Sequence, residues 1–138
     1  THEYMGNKSN RSLTGNQVFN ELVKKYPNIQ FVISGHINGS SYQIDKIDDD
    51  GDGIYDRRVL QILTDFQEEE SLFGASFLRT IGLDFVNNYL HFNIYSPYFK
   101  DYDIFVNDNK EYVKASSEFY YAFDLTGSGY GLITDYFG

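Results

Sequence analysis

Two histidines stand where a strand end could deliver them to a shared site. His36 follows the apolar run "FVIS" and a glycine within "FVISGHING" at 31–39, and His2 lies in the polar segment "THEYM" at 1–5. Neutral imidazole is a good ligand for Zn²⁺, Mn²⁺ or Fe²⁺. Histidines and carboxylates that lie far apart in sequence but meet from loops are the material of two-metal hydrolytic centres. The chain has no cysteine, so disulfides and thiolate ligands are excluded, and any metal must use His, Asp, Glu, Asn or backbone oxygen. A Gly-His turn is also ordinary loop content, and spacing alone leaves both readings open. His91 falls on the polar side of a predicted strand at 89–95 and reads as a solvated or hydrogen-bonded side chain.

The second charged constellation is "DDDGDGIYD" at 48–56. Asp48, Asp50 and Asp52 alternate, Gly53 follows, and Asp56 comes after it, the way calcium loops space oxygens around one ion while glycine permits the sharp turn. The stretch resembles thrombospondin type-3 calcium loops and the first half of an EF-hand. Val59 stands at the twelfth position, where an EF-hand carries a bidentate Glu. The plainer reading is a solvated hairpin turn, since Asp and Gly are favoured there in any case.

The elements that must position these residues follow from periodicity. Thr14 and Gln17 have capping-box spacing, and Val18, Phe19, Leu22, Val23 and Tyr26 share a face at helical spacing, predicting a helix at 14–25 stopped by Pro27. The run "IQFVIS" at 29–34 is apolar on both faces and predicts a strand covered on both sides, with the Gly35-His36 turn at its carboxyl end, where α/β sheets place ligands. Strands are predicted at 41–47, 57–66, 76–85, 89–95 and 118–125, with hairpin-turn chemistry at 84–88. The segment "QEEES" at 67–71 reads as a solvated loop, residues 97–114 as irregular, and the tail "TGSGYGLITDYFG" as Gly-rich. Neither an internal repeat nor a domain boundary stands out, so the expectation is a single domain over 1–138. Its fold class is α/β (α+β), one main helix on a largely antiparallel sheet.

Bulk properties narrow the partners. Eleven Lys plus Arg against 20 Asp plus Glu leave a formal charge of −9, which disfavours nucleic acid and anionic membranes. No apolar stretch approaches the roughly 20 residues of a membrane-spanning helix, and the N-terminus lacks a basic-then-apolar signal pattern. Hydrophobic content of 41% and aromatic content of 18% support a real core, although mean hydropathy is −0.44. Three Asn-x-Ser sequons, at Asn7, Asn10 and Asn38, carry no weight in so Asn-rich a chain. An acidic, cysteine-free chain with a candidate calcium loop leans toward a secreted or cell-surface location.

Order along the chain adds a resemblance. "THEYM", the helix running into "KKYPNIQFVISGH", the strand "RRVLQILTDFQ", then "LFGASFLRTIGLDF" and "IYSP" together resemble the C-terminal half of calcineurin-like metallophosphoesterases, over about residues 1–98. The resemblance implies that His2 corresponds to the family's middle metal-binding histidine and His36 to the first histidine of a Gly-His-x-His-Gly motif. Asn38 stands where the second histidine belongs, an amide whose oxygen is a weaker ligand than imidazole. It further implies a dinuclear Mn, Fe or Zn site, a phosphoester substrate, and a fold that is half of a layered sandwich. The family's Asp-x-His pair, bridging aspartate and Gly-Asn-His motif are missing from this sequence. The expectation is therefore a C-terminal fragment that partners the N-terminal half of the same protein, contributes histidines, folds but is inactive alone, and has an exposed strand edge favouring a homodimer. The rival expectation is a non-catalytic, Tyr-rich β binding module with a structural calcium loop, contacting carbohydrate or protein.

Overall fold

The computed structural model describes residues 1–67, 77–102 and 118–123. Ten short elements follow one another in these segments. A miniature hairpin, β1 (Met5–Gly6) and β2 (Asn10–Arg11), leads into helix α1 (Leu13–Val18) and a π-helical turn at Phe19–Val23. Strands β3 (Phe31–Ser34), β4 (Gly39–Ile47) and β5 (Arg57–Asp65) form one sheet in the order β3-β5-β4. Strands β6 (Leu78–Asp84), β7 (Tyr89–Tyr95) and β8 (Phe119–Ala122) form a second, wholly antiparallel sheet. Strand dominates and helix is minor, which bears out the α+β class.

β5 organises the molecule because both of its faces are buried. Val59 and Leu63 pack with Tyr4, Met5, Phe19, Val23, Val32 and Ile47 under the helical segment. Leu60 and Ile62, one residue out of phase, pack with Leu90, Phe92, Phe119 and Tyr121 of the second sheet. Burying each such aliphatic side chain contributes about 1.5–3 kcal/mol, so the alternate residues of one strand hold both halves of the core. β3 runs parallel to β5 and β4 antiparallel to it.

Several sequence expectations need correction here. The strand expected to be covered on both sides is β5 rather than β3, since Ile33 is 52% exposed. The helix is capped by Ser12, whose Oγ accepts the Gly15 N–H at 2.9 Å, so the Thr14–Gln17 spacing is not the cap. Beyond Val18 the helix widens into the π turn. Phe19 and Val23 remain buried, but Leu22 and Tyr26 stand 48% and 53% exposed, because the wider turn breaks the 3.6-residue phase that placed them on the inner face. Strands 57–66 and 76–85 are trimmed to β5 and β6. The hairpin turn at 84–88 forms as expected, with Asp84 Oδ1 accepting the Val86 and Asn87 N–H groups and Asn88 at φ +55°. The expected features at 68–71, 103–114 and 124–138 lie outside the described residues.

The N-terminal segment is tied down from both sides. Its first residues lie beside β3, where the Gly35 N–H donates to His2 O at 3.3 Å and the Thr1 nitrogen donates to Ile33 O at 2.8 Å. Below it, the Tyr4 hydroxyl donates to Gln61 Oε1 at 2.7 Å, Arg11 donates to the same oxygen at 2.9 Å and to Asp45 at 2.5 Å, and Gln61 donates to Asp45. A polar residue midway along an apolar strand is thereby satisfied, as burial requires. Gly15 makes the close packing of α1 feasible: a Cβ there would sit 2.0 Å from Tyr4 O.

Candidate functional site

β3 and β5 are parallel and in register through Ser34 and Leu63, so their carboxyl ends finish together. Gly35 and His36 leave β3 at that level, and Thr64 and Asp65 close β5 beside them. The N-terminal segment reaches the same level through the Glu3–Gly35 bridge. These three chain ends line a cleft of about 320 Å³ formed by Thr1, His2, Gly35, His36, Thr64, Asp65, Phe66, Gln67 and Phe77.

His2 and His36, separated by most of the helical segment in sequence, face each other with ring centroids 4.1 Å apart at 41°. Both rings are solvent-accessible. His36 adopts φ +74°, a left-handed conformation that a non-glycine residue rarely takes, and it is this backbone setting that turns the chain into the cleft. Asn38, two residues on, is not among the residues lining the cleft.

Asp65 is not a candidate ligand in the sequence, where it reads as the polar end of an apolar strand and as part of the "RRVLQILTDFQ" segment of the family resemblance. It is 6% exposed, and its Oδ1 accepts the Gln67 N–H at 2.9 Å. Oδ2 faces Gly35, 3.6 Å from where a Cβ on that glycine would stand. The one signal in the sequence was a carboxylate abutting an unbroken apolar strand at the end that loops converge on. Beside the cleft, the half-buried Arg79 donates to Thr64 Oγ1 at 3.1 Å and to Ser40 Oγ at 2.6 Å, and burial pulls its pKa from 12.5 to about 10, leaving it cationic at neutral pH.

The acidic loop sits at the far end of the same sheet, joining Ile47 of β4 to Arg57 of β5. Oxygens of Asp48, Asp50 and Asp56 lie within 4.8 Å of one another. Asp52 is outside that group, and its Oδ1 accepts the Ile54 N–H at 2.7 Å. Asp48 accepts from Gly53 N–H at 2.8 Å and Gly51 N–H at 2.6 Å, and these bonds hold its carboxyl below the usual range. Gly51 and Gly53 have φ of +82° and +90°, which these turns require. His91 is placed as expected: it contacts Glu118 at 2.9 Å and stacks on Tyr120 at 4.4 Å, remote from the cleft.

Among the described residues no helix is long and apolar enough to cross a membrane. The chain is 40% identical over 139 residues to the uncharacterized protein YvnB of Bacillus subtilis (strain 168); the match covers 99% of this chain and 10% of that protein. The chain thus spans about a tenth of the length of the relative it matches. No family model and no solved structure matches it.

Proposed function

We propose that the chain is the C-terminal portion of a metal-dependent phosphoesterase of the calcineurin-like type, with His2 and His36 contributing ligands to its metal centre. The observation that carries this reading is the meeting of His2 and His36 at the carboxyl ends of two parallel strands, over a cleft. The donor set fits: neutral imidazoles beside a carboxylate suit a borderline divalent cation such as Mn²⁺, Fe²⁺ or Zn²⁺. When bound, such a cation supplies charge neutralisation at a phosphoryl oxygen and a more acidic water. The residues of this chain hold the imidazoles side by side through the β3 and N-terminal backbone pairing, and Phe66 and Phe77 give the cleft an apolar wall. The remaining ligands would come from an upstream half of the same protein, completing a layered sandwich of which this sheet pair is one half. Asn38, at the position of the family's second histidine, is then a weak ligand that needs movement of its loop to reach the ion. A secreted or cell-surface location agrees with the acidic composition.

The test is hydrolysis of an aryl phosphate with Mn²⁺ by the full-length parent, with His2→Ala and His36→Ala variants. Metal-dependent turnover lost in both variants is expected. Turnover untouched by either substitution would remove the reading. A second reading, a non-catalytic binding module with a structural calcium loop, is favoured by the convergence of Asp48, Asp50 and Asp56. It predicts an inactive parent.

A further inference from the structure

We infer that Asp65 is a third cation-binding group of the cleft, so that the site taken by a divalent transition-metal ion is His2, His36 and Asp65. This rests on the metal-site reading above and adds a residue to it. The argument is electrostatic. Asp65 is more than nine-tenths buried; its one hydrogen bond, from the Gln67 N–H, goes to Oδ1, and Oδ2 is left open to the solvent of the cleft. No Lys, Arg or His among the described residues forms an ion pair with it, although Arg11, Arg57, Lys25 and His91 all find carboxylates elsewhere. A largely buried carboxylate that has no counter-charge and opens to a cleft through one oxygen is placed to meet a cation there.

Asp65 lines the same cleft as the two imidazoles, its free oxygen directed at the Gly35-His36 turn. Gly35 has no side chain between the turn and that oxygen, and even a Cβ there would stand 3.6 Å away, in ordinary contact. The ligand atoms of the three residues are not gathered as tightly as those of Asp48, Asp50 and Asp56. Rotation of the accessible, mutually tilted imidazoles toward Asp65 is therefore part of binding. The ligand chemistry is nitrogen-rich with one hard oxygen, which favours Zn²⁺ or Mn²⁺ over Ca²⁺.

Zinc chloride titrations read by histidine ring NMR, with His91 as the internal control, separate this inference from the reading beneath it. In the unsubstituted protein the His2 and His36 ring signals shift together while those of His91 do not. Asp65→Asn keeps the shape and the acceptor for Gln67, so the variant folds. It should need roughly tenfold or more zinc for the same His2 and His36 response, the scale on which carboxylates around metal sites contribute. In metal-free buffer the same variant should melt at a higher temperature than the unsubstituted protein, because the unpaired charge is gone, and should gain less from added zinc. An unchanged zinc response in Asp65→Asn, or a lower metal-free melting temperature, overturns the role of Asp65 while the histidine site stands. Failure of His2 and His36 to respond at all overturns both.

Discussion

The two ends of the β3-β5-β4 sheet carry the same kinds of charged residue in opposite circumstances. Gly39 pairs with Asp65 at one end and Ile47 with Arg57 at the other, which separates the cleft from the acidic loop by roughly 27 Å of strand. In the loop, the carboxylates are exposed or half-buried and are answered by the loop's own backbone: Asp48 by Gly51 and Gly53, Asp56 by the Asp49 N–H at 2.6 Å. Asp49 is answered by the buried Arg57 through both carboxylate oxygens, at 2.6 and 3.0 Å. In the cleft, Asp65 is buried and half answered. Charge density therefore says little about hydrogen bonding: the crowded loop meets its carboxylates with its own backbone N–H groups, and the sparse cleft leaves one oxygen of Asp65 without any.

The largest expected effect comes from breaking the loop end. Arg57 also donates to the carbonyls of Val23, Lys24 and Ile29, so it ties the end of the helical segment to the loop. Arg57→Met should cost about 3 kcal/mol in urea unfolding, since it strands a carboxylate and three carbonyls. A loss below about 1 kcal/mol would mean that the loop is held by its turns alone.

Midway along the sheet, the segment that leads to the cleft is anchored by Tyr4, through Gln61. Burial pushes the Tyr4 phenol from 10.0 to about 12, with Arg11 opposing and Asp45 adding to the rise. A raised folded-state pKa stabilises the protein fully below pH 10, and that contribution is lost as pH climbs from 10 to about 12. On the order of 2 kcal/mol should disappear across this window once solvent screening is allowed for. Tyr4→Phe, at a cost of about 1 kcal/mol at neutral pH for the missing hydrogen bond, should flatten that part of the alkaline profile. Burial also raises the Tyr121 phenol, so some alkaline sensitivity will remain. An alkaline profile identical in both proteins would detach Tyr4 from the effect.

The smallest effect belongs to the loop carboxylates. Asp48 has a lowered pKa, so its bonds to Gly51 and Gly53 persist above 3.8 and are lost as pH falls through the folded value below that. The Gly51 and Gly53 amide signals should move in that acid window with little change in global stability. Calcium should perturb the same amides only at ~10⁻⁴–10⁻³ M, because the twelfth-position Glu of an EF-hand is absent. Silence of both amides at millimolar calcium would leave the loop as a hairpin turn.

Periodicity and turn chemistry by themselves determined the strands that became β4 to β8, the hairpin turn at 84–88, and the placement of His91 on an outer face. These are local properties: alternation reports which residues share a face, and Asp and Asn report where the chain reverses. The histidines were legible as candidates because residue type and a strand end suffice for that. The tertiary structure alone decided that His2 meets His36, since their separation depends on the parallel register of β3 with β5 and on the N-terminal segment lying against β3. It alone decided that β5 rather than β3 is covered on both faces, because position within a sheet depends on pairing order. Gln61 and Asp65 make the same point from one strand: both are buried polar residues on β5, yet Gln61 is satisfied by Tyr4, Arg11 and Asp45 while Asp65 keeps a free oxygen. No pattern in the sequence distinguishes them, because a polar group's partners come from segments that only folding brings within hydrogen-bonding distance.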